Sequence, residues 1–197
     1  MMVSRTACLS VLFLAVLFLA GCATKIPHAI VSDYTKRGAR LIAVMPVGGS
    51  SPDQKAADML RIKLVEELYF KGYPKIPFTV IDEKLATLSP ARGEKPDPKA
   101  VGEMLKVDAV LYSKLTDSGM GRGIVYAATT VGAEFELLSA KTGESLWRVE
   151  YQVTHRNLGF TRKQVELKSS QVYEPAIQEL VNRTLETLPD GPDAIGS

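Results

Sequence analysis

Two stretches of alternating apolar and polar residues, separated by a glycine turn, constrain the fold of this chain more than any other feature. Residues 131–137 read VGAEFEL, and residues 147–153 read WRVEYQV. A period of two is typical of antiparallel strands that bury one face and expose the other to water. The Lys-Thr-Gly sequence at 141–143 predicts a three-residue hairpin loop with its glycine in the left-handed region. This loop sets a register in which Leu137 lies opposite Trp147.

An apolar run and a helix-start signal precede the hairpin. Residues 40–47 (RLIAVMPV) are of strand length and almost wholly apolar, which favours a buried strand. After Gly48-Gly49, the sequence Ser51-Pro52-Asp53-Gln54 has the pattern of a capping box with a proline at the first helical position. It predicts a helix that runs to about Phe70 and ends at Gly72.

Further elements are predicted between and after these features. Residues 77–81 (PFTVI) favour a strand, residues 82–88 a short helix capped by Asp82, and residues 98–105 another helix. Residues 109–115 (AVLYSKL) favour a strand, and residues 174–188 have the spacing of an amphipathic helix. The order predicts an α/β fold with a mixed sheet: an early β-α-β parallel unit, a late antiparallel hairpin and a C-terminal amphipathic helix packed on the sheet.

The N-terminus has the pattern of an export signal. Arg5 supplies a positive charge, residues 9–19 are apolar, and the small residues Ala20 and Gly21 follow. As a helix the apolar stretch would span about 16 Å, well short of a bilayer core of about 30 Å. A permanent transmembrane helix is therefore not predicted.

The sequence Leu19-Ala20-Gly21-Cys22 resembles the lipobox of bacterial lipoproteins. The resemblance implies cleavage before Cys22, a diacylglycerol on its sulfur and an acyl chain such as palmitate on the new amine. Ala23, where an Asp would resemble an inner-membrane retention signal, implies export to the outer membrane. The alternative is a free cysteine buried in an N-terminal helix. Lipidation would join the chain stably to membrane lipid, because two or more acyl chains anchor far better than one.

Composition predicts one globular domain behind this signal. The chain has 24 Lys and Arg against 22 Asp and Glu, so no basic face for nucleic acid is expected. Loss of residues 1–21 and acylation of Cys22 leave no thiol for a disulfide, so an apolar core must stabilise the fold. We expect residues 22–39 to form a lipidated tether that could include a short ordered part near Ile30, residues 40–188 a single α/β domain and residues 189–197 a loose tail.

Three features are candidates for ligand or partner contact. Gly48-Gly49-Ser50-Ser51 lies between a strand and a helix start, where anions bind, but it lacks the Walker lysine and the GxGxxG spacing. The alternative there is a turn followed by a helix cap. Arg122, in the glycine-rich stretch 119–123, is predicted at the tip of a hairpin loop within reach of a partner. Trp147 is either an inward-facing core residue or a contact to the membrane interface or another subunit.

The case for an enzyme is weak. His28 and His155 are the two histidines, and they are too far apart in the sequence to match a usual metal-site spacing. Glu134 and Glu136 share a strand face about 7 Å apart, and paired carboxylates hydrolyse glycosides. Alternating exposed glutamates are also typical of a half-buried strand. No GxSxG elbow occurs, so neither catalytic residues nor a cofactor or metal is predicted.

Several of these segments together resemble a family of bacterial outer-membrane lipoproteins. The segments are RLIAVMPV at 40–47, VDAVLYSKLTD at 107–117, VYAATTVGAEFELLSAKTGESLW at 125–147 and the final helix. They are similar to lipoproteins of unknown function related to PelC, a lipoprotein of exopolysaccharide export, over roughly residues 38–188. The resemblance implies a fold like that of CsgG and of the N-terminal domain of TolB. It also implies a non-catalytic domain anchored to the outer membrane, and it supplies no catalytic residues.

Three functional hypotheses follow. The favoured one is a non-catalytic scaffold or accessory subunit of an envelope transport or export complex, acting as a homo-oligomer or with envelope protein partners. Its domain would face the periplasm, with exposure at the cell surface as the alternative. The second is a periplasmic binding module for a small anionic or glycan ligand at the Gly48–Ser51 turn. The third and least favoured is a hydrolase that uses Glu134 or Glu136.

Overall fold

The structure is a computed structural model that describes residues 25–37, 39–49, 54–88, 95–122, 126–158 and 173–194. The predicted export signal, the lipobox-like segment with Cys22, and the predicted capping-box residues Ser51-Pro52-Asp53 lie outside the described residues. In chain order the elements are β1 (His28–Ile30), α1 (Tyr34–Arg37), β2 (Ile42–Val44), β3 (Gly48–Gly49), α2 (Gln54–Phe70), α3 (Phe78–Leu88), α4 (Pro98–Leu105), β4 (Ala109–Arg122), β5 (Tyr126–Ser139), β6 (Ser145–Leu158) and α5 (Tyr173–Leu185).

The strands form one mixed sheet in the order β1-β6-β5-β4-β2, and β3 also pairs with β4. The β2 and β3 strands run parallel to β4, whereas β4, β5, β6 and β1 pair antiparallel. Leu137 lies opposite Trp147 as predicted, and Gly143 has φ 78°. The connection is longer than the predicted three residues, since it comprises residues 140–144, and the register shifts between Leu137 and Leu138. The predicted mixed α/β fold is confirmed.

The two faces of the sheet carry separate apolar clusters because side chains alternate along each strand. On one face, α2 and α5 pack over the strands, with Leu64 and Leu180 fully buried against Phe135. On the other face, α3 and α4 cover β2 and the start of β4, where Ile81 and Val101 are buried. The remaining part of this second face, on β5 and β6, carries polar side chains.

The predicted strand at residues 77–81 is wrong, because the chain is helical from Phe78 to Leu88. A short apolar run fits either a strand or one side of a helix. Here Phe78, Ile81, Leu85 and Leu88 recur at helical spacing, and Ile81 is 1% exposed. Asp82 therefore lies inside the helix rather than at its cap. The parallel neighbour of β2 is β4, with three helices between them.

The glycine-rich stretch from Gly119 to Arg122 is strand rather than hairpin loop. Its backbone continues the ladder with β5, up to Arg122 opposite Ala127. A bulge between Leu115 and Asp117 shifts the register just before it. Pairing of backbone groups requires no side chain, so glycines do not prevent it.

Both ends of the described chain are paired with the rest of the domain, the first near the short ordered part expected at Ile30. Within the predicted tether, Ala29 of β1 pairs with Arg148 of β6. The tail from Pro189 to Ala194 is not loose: the Gly191 amide donates to the Lys71 carbonyl at 2.6 Å, and the Asp193 amide donates to the Gly72 carbonyl at 3.1 Å. Hydrogen bonds between backbone groups leave no trace in the pattern of side chains along the sequence. The prediction of a loose tail was wrong for this reason.

Candidate assembly surface

The start of the described chain restricts where a lipid on Cys22 would lie. Lys25 is three residues after Cys22, and β1 begins six residues after it at His28. Six extended residues reach at most about 20 Å. Any membrane attached at Cys22 would therefore lie close to the domain.

Strand directions show which end of α2 lies toward the start of β1, where the segment that follows Cys22 joins the domain. The antiparallel ladder from β1 to β4 and the parallel β2–β4 pair mean that β1 runs opposite to β2. The α2 helix also runs opposite to β2, since Arg61 binds the Val44 carbonyl while Leu68 lies beside Ile42. β1 and α2 consequently run in the same direction, and Phe70 lies at the end of α2 that is distant from the start of β1.

The α2 helix carries apolar side chains on both sides. Leu60, Leu64 and Leu68 are buried in the core. On the opposite side, Ile62 is 45%, Tyr69 54% and Phe70 77% exposed. These are three of the five large apolar side chains that are exposed in the described parts of the chain, the others being Ile30 and Val80. We call this side the outer face of α2. It is formed by Asp58, Met59, Ile62, Lys63, Val65, Glu66, Tyr69 and Phe70.

The aromatic end of this outer face has a defined geometry. The rings of Tyr69 and Phe70 meet edge to face, with centroids 6.1 Å apart. Lys75 Nζ lies 4.5 Å from the centre of the Tyr69 ring. Exposed aromatic rings with a nearby cation are common in protein interfaces and costly to leave in water.

The candidate carboxylates Glu134 and Glu136 are both engaged in ion pairs. Arg148 donates to Glu134, and Lys95 Nζ lies 2.6 Å from Glu136 Oε2. Lys95 also lies 4.1 Å from the centre of the Tyr112 ring. Burial raises the pKa of that Tyr112 hydroxyl, helped by nearby carboxylates. Each glutamate is thus paired with a cation, Glu134 with Arg148 on β6 and Glu136 with Lys95 in the segment before α4.

The two histidines are also held by local partners. His28 Nδ1 lies 2.9 Å from the Ile26 carbonyl oxygen, and His155 Nε2 lies 2.6 Å from Glu179 Oε2. Among the described residues, no group of three or more His, Cys, Asp or Glu side chains has the arrangement of a metal site.

Close packing against β4 explains Gly49 in the Gly48–Ser51 candidate site. Gly48 and Gly49 form β3, a strand on β4, rather than a turn. Gly49 has φ 130°, and a Cβ there would lie 2.6 Å from the Leu115 carbonyl oxygen. Only glycine fits that approach, while Ser50 and Ser51 lie outside the described residues.

Trp147 is a core residue, which removes it as a membrane or subunit contact. It is 1% exposed, and its Nε1 donates to Thr187 Oγ1 at 3.0 Å. The alternation of apolar and polar residues along β6, which also predicts the hairpin, places Trp147 on the buried face of that strand. Arg122 closes β4, and only its backbone position is described.

A small cavity lies between β2 and the end of α2. A cavity of about 10 Å³ lies among Ile42, Leu68, Tyr73 and Ile76, and it has room for about one water molecule.

Within the described ranges, every helix is too short or too polar to cross a bilayer.

Sequence reasoning missed the outer face of α2 as a candidate surface. The signal is present in the printed sequence, because Ile62, Tyr69 and Phe70 fall outside the Leu60-Leu64-Leu68 stripe. A helix that is apolar on a second side is usually covered by something further.

Comparison with known proteins places the chain among bacterial lipoproteins. A family profile described as "Putative lipoprotein GNA1162-like" matches residues 31–192. "Putative lipoprotein NMB1124/NMB1162" of Neisseria meningitidis serogroup B is 27% identical over 137 residues, covering 68% of this chain and 64% of that protein. The match thus spans slightly less than two thirds of the relative's length.

The solved structure of a Neisseria lipoprotein agrees at the level of fold, and a second structure is a weaker match. The crystal structure of lipoprotein GNA1162 from Neisseria meningitidis superposes with a TM-score of 0.54 at 23% identity, covering 72% of this chain and 98% of the other. The PelC dodecamer from Paraburkholderia phytofirmans superposes with a TM-score of 0.46 at 13% identity, covering 80% and 95%. The lipoprotein resemblance seen in the sequence is confirmed.

Proposed function

Because the chain belongs to the GNA1162-like lipoprotein family, we propose that it is an outer-membrane-anchored, non-catalytic accessory subunit of an envelope transport or export complex. The protein is a lipoprotein by family, and its place is the bacterial cell envelope. The outer-membrane location, the lipid on Cys22 and the accessory role are the parts that we propose.

The observation that supports an accessory role most strongly is the outer face of α2. Ile62, Tyr69 and Phe70 are held on a regular helix whose other side is fixed in the core. Ordered apolar side chains that remain in water favour a contact with another protein. The aromatic pair lies at the end of α2 away from the start of β1, so with the proposed anchor it would be directed into the compartment rather than toward the lipid.

The polar parts of the domain support a non-catalytic role. Glu134, Glu136 and His155 each have a charged neighbour within the domain. A general acid or base needs a free approach to substrate and a pKa suited to the reaction. The described cavity is also far smaller than the roughly 300–1,000 Å³ of ligand pockets.

The proposed anchor uses Leu19, Ala20 and Gly21 for recognition and cleavage, Cys22 for acylation and Ala23 for sorting. With β1 beginning six residues after Cys22, the domain would remain within about 20 Å of the lipid surface. A subunit held this close would meet partners that are in or on the same membrane.

The anchor is tested with Cys22→Ala and the matched control Cys8→Ala, which changes the signal-peptide cysteine. Wild type and Cys8→Ala should fractionate with the outer membrane, and the intact mass should show a chain beginning at Cys22 with diacylglycerol and acyl additions. Cys22→Ala should lose both properties. Ala23→Asp should move the lipidated protein toward the inner membrane. An unchanged mass and location in Cys22→Ala would refute the anchor.

The accessory role needs a separate measurement. Replacing Tyr69 and Phe70 together with Ser should leave lipidation and the thermal midpoint near wild type but reduce envelope transport in the producing bacterium. Val80→Ser, which changes an exposed apolar residue on α3, is the matched control. Equal transport in all three strains would contradict the role assigned to this face.

A further inference from the structure

We propose that the outer face of α2 packs side by side against the same face of a second copy of this chain, with the two α2 helices parallel. This inference rests on the proposed anchor at Cys22, and it names the occupant of the surface on which the proposed function depends.

The spacing along α2 matches a helix-to-helix contact. Met59, Ile62, Glu66 and Tyr69 follow one another at intervals of three and four residues, which is the a-d-a-d spacing of a coiled-coil seam. They lie opposite Leu64, the centre of the buried side. Ile62 and Tyr69, at d, are exposed apolar side chains. The seam is about two heptads long; its d residues are exposed in the monomer, whereas Met59 at the first a position is partly buried against the core.

The residues beside the seam are complementary between parallel copies. In a parallel pair, the residue at g of one helix meets the residue at the following e position of the other. Asp58 would therefore face Lys63 of the second copy, and Val65 would face Phe70 of the second copy. The first pair joins opposite charges and the second joins two apolar side chains. Each pair occurs twice about the two-fold axis.

The charges already bound within the monomer are compatible with this contact. Lys63 Nζ lies 3.3 Å from Glu66 Oε2 and 3.5 Å from Glu174 Oε1. Glu66, at the a position, therefore has a cation of its own helix beside it when a second Glu66 approaches. Asp58 accepts from the exposed side chain of Gln54 at 2.8 Å and stays accessible.

The anchor selects the parallel arrangement. β1 and α2 run in the same direction, so α2 begins toward the anchored end and ends away from it. Two copies anchored in one leaflet must have their anchored ends on the same side, which makes their α2 helices parallel. An antiparallel pair would direct the two anchors toward opposite membranes.

The contact area suits a membrane-bound pair more than a soluble one. A 17-residue helix is about 25 Å long, and one face of it covers less than the roughly 1,600 Å² of a stable complex. Attachment to one surface raises the effective concentration of the copies without adding any contact. We therefore expect pairing of the lipidated chain on the membrane.

Disulfide trapping in cells tests the pairing, because the lipidated mature chain would have no free thiol of its own. In the full-length protein, Ile62→Cys and Tyr69→Cys should each give about tenfold more oxidised dimer than Val80→Cys, since a disulfide forms only where two Cβ atoms approach to about 4 Å. Adding Asp58→Lys to Ile62→Cys should reduce the dimer, because the introduced lysine would then face Lys63 of the second copy.

Two results would overturn the inference. One is dimer formation at positions 62 and 69 that does not exceed the Val80→Cys control while the protein is lipidated. The other is a preference, in cells that produce both single variants, for crosslinks that join position 62 of one copy to position 69 of the other. If crosslinks between positions 62 and 69 exceed those that join position 62 to position 62 and position 69 to position 69, the helices are antiparallel. Loss of membrane location in the same cells would instead identify a failure of the anchor.

Discussion

Arg61 joins α2 to α3 by donating from Nη1 and Nη2 to the two carboxylate oxygens of Asp82, at 2.9 and 2.8 Å. The same guanidinium donates from Nε and Nη2 to the Val44 carbonyl at 3.3 and 3.1 Å, and it lies 4.3 Å from the centre of the Phe78 ring. Arg61 is 9% exposed, so one nearly buried cation holds a strand and two helices. It also satisfies a carbonyl at the open edge of β2.

Asp82→Asn should lower the free energy of unfolding by about 1 kcal/mol, because it removes the charge from a half-exposed bidentate pair. Arg61→Met should cost more, about 2–3 kcal/mol, since the Val44 carbonyl also loses its partner. Urea denaturation checks both values, with Glu83→Gln on the exposed side of α3 as the control. If Asp82→Asn and Glu83→Gln lower the free energy of unfolding equally, the Arg61–Asp82 pair does not stabilise the fold as stated.

Trp147 and Thr187 should behave as a coupled pair. Trp147→Phe should cost about 1–3 kcal/mol through lost volume and the lost Nε1–H bond, and Thr187→Val about 1 kcal/mol. The double variant should cost less than the sum of the two by about 0.5–1 kcal/mol, because the shared hydrogen bond is lost only once. Thermal or urea unfolding of the four proteins measures this difference. Strict additivity would show that the bond contributes nothing.

The domain should lose stability at alkaline pH through buried tyrosines. Tyr34 Oη lies 3.0 Å from Tyr73 Oη, and Tyr73 donates to the Pro189 carbonyl at 2.9 Å. Burial, the nearby Tyr73 and its hydrogen bond raise the pKa of Tyr34 well above 10.0, and burial also raises the pKa of Tyr73. Above about pH 10 the unfolded chain releases these protons while the folded chain retains them, so the free energy of unfolding falls as pH rises.

The measurement is the urea midpoint between pH 8.5 and 11 for wild type and Tyr34→Phe. The loss attributable to Tyr34 should approach about 1.4 kcal/mol per pH unit above pH 10. Tyr34→Phe should be less stable than wild type at pH 8.5 and should show a shallower alkaline decline. Identical slopes in the two proteins would refute the role of this hydroxyl.

Gly72→Ala should be far more damaging than Gly143→Ala, although both glycines have left-handed φ values of 86° and 78°. At Gly143 the nearest atom to a new Cβ is Lys99 Cε at 3.4 Å, so the cost is backbone strain of about 1 kcal/mol. At Gly72 a Cβ would collide with the backbone of Ala194 and displace the tail. We expect a cost of about 3 kcal/mol there, by the added loss of packing.

Thermal unfolding of both glycine variants provides the comparison. A chain ending at Leu188 serves as the second control, since it lacks the tail that Gly72→Ala would displace. In that shortened chain, Gly72→Ala should cost no more than Gly143→Ala. A large cost that persists without the tail would contradict the collision.

The hairpin between β5 and β6 shows what local pattern can predict. The predicted pairing of Leu137 with Trp147 is present, although residues 140–144 separate the two strands instead of the three predicted, and a register shift between Leu137 and Leu138 compensates for the difference. The α4 helix likewise occupies the predicted residues, Pro98–Leu105, because Asp97 and the following proline mark its start. These predictions succeed because the interactions that decide them lie within a few residues of one another.

The candidate sites show the limit of the same reasoning. Gly48 and Gly49 have the spacing of an anion-binding turn, yet they form a strand, and Gly49 owes its identity to the close backbone of Leu115. Glu134 and Glu136 have the spacing of a catalytic pair, yet Arg148 and Lys95 bind them from elsewhere in the fold. In each case the deciding atom is distant in sequence.

The sequence by itself determined the mixed α/β class, the hairpin register and the bounds of several helices, and it carries the lipobox-like segment from which the anchor is proposed. These depend on periodicity, turn chemistry and short motifs. Only the tertiary structure decided that residues 78–88 are helical, that the tail docks on Gly72 and that Ile62, Tyr69 and Phe70 remain exposed. The physical reason is that exposure and backbone docking depend on which surfaces meet, and an apolar side chain carries the same hydrophobicity whether or not the fold covers it.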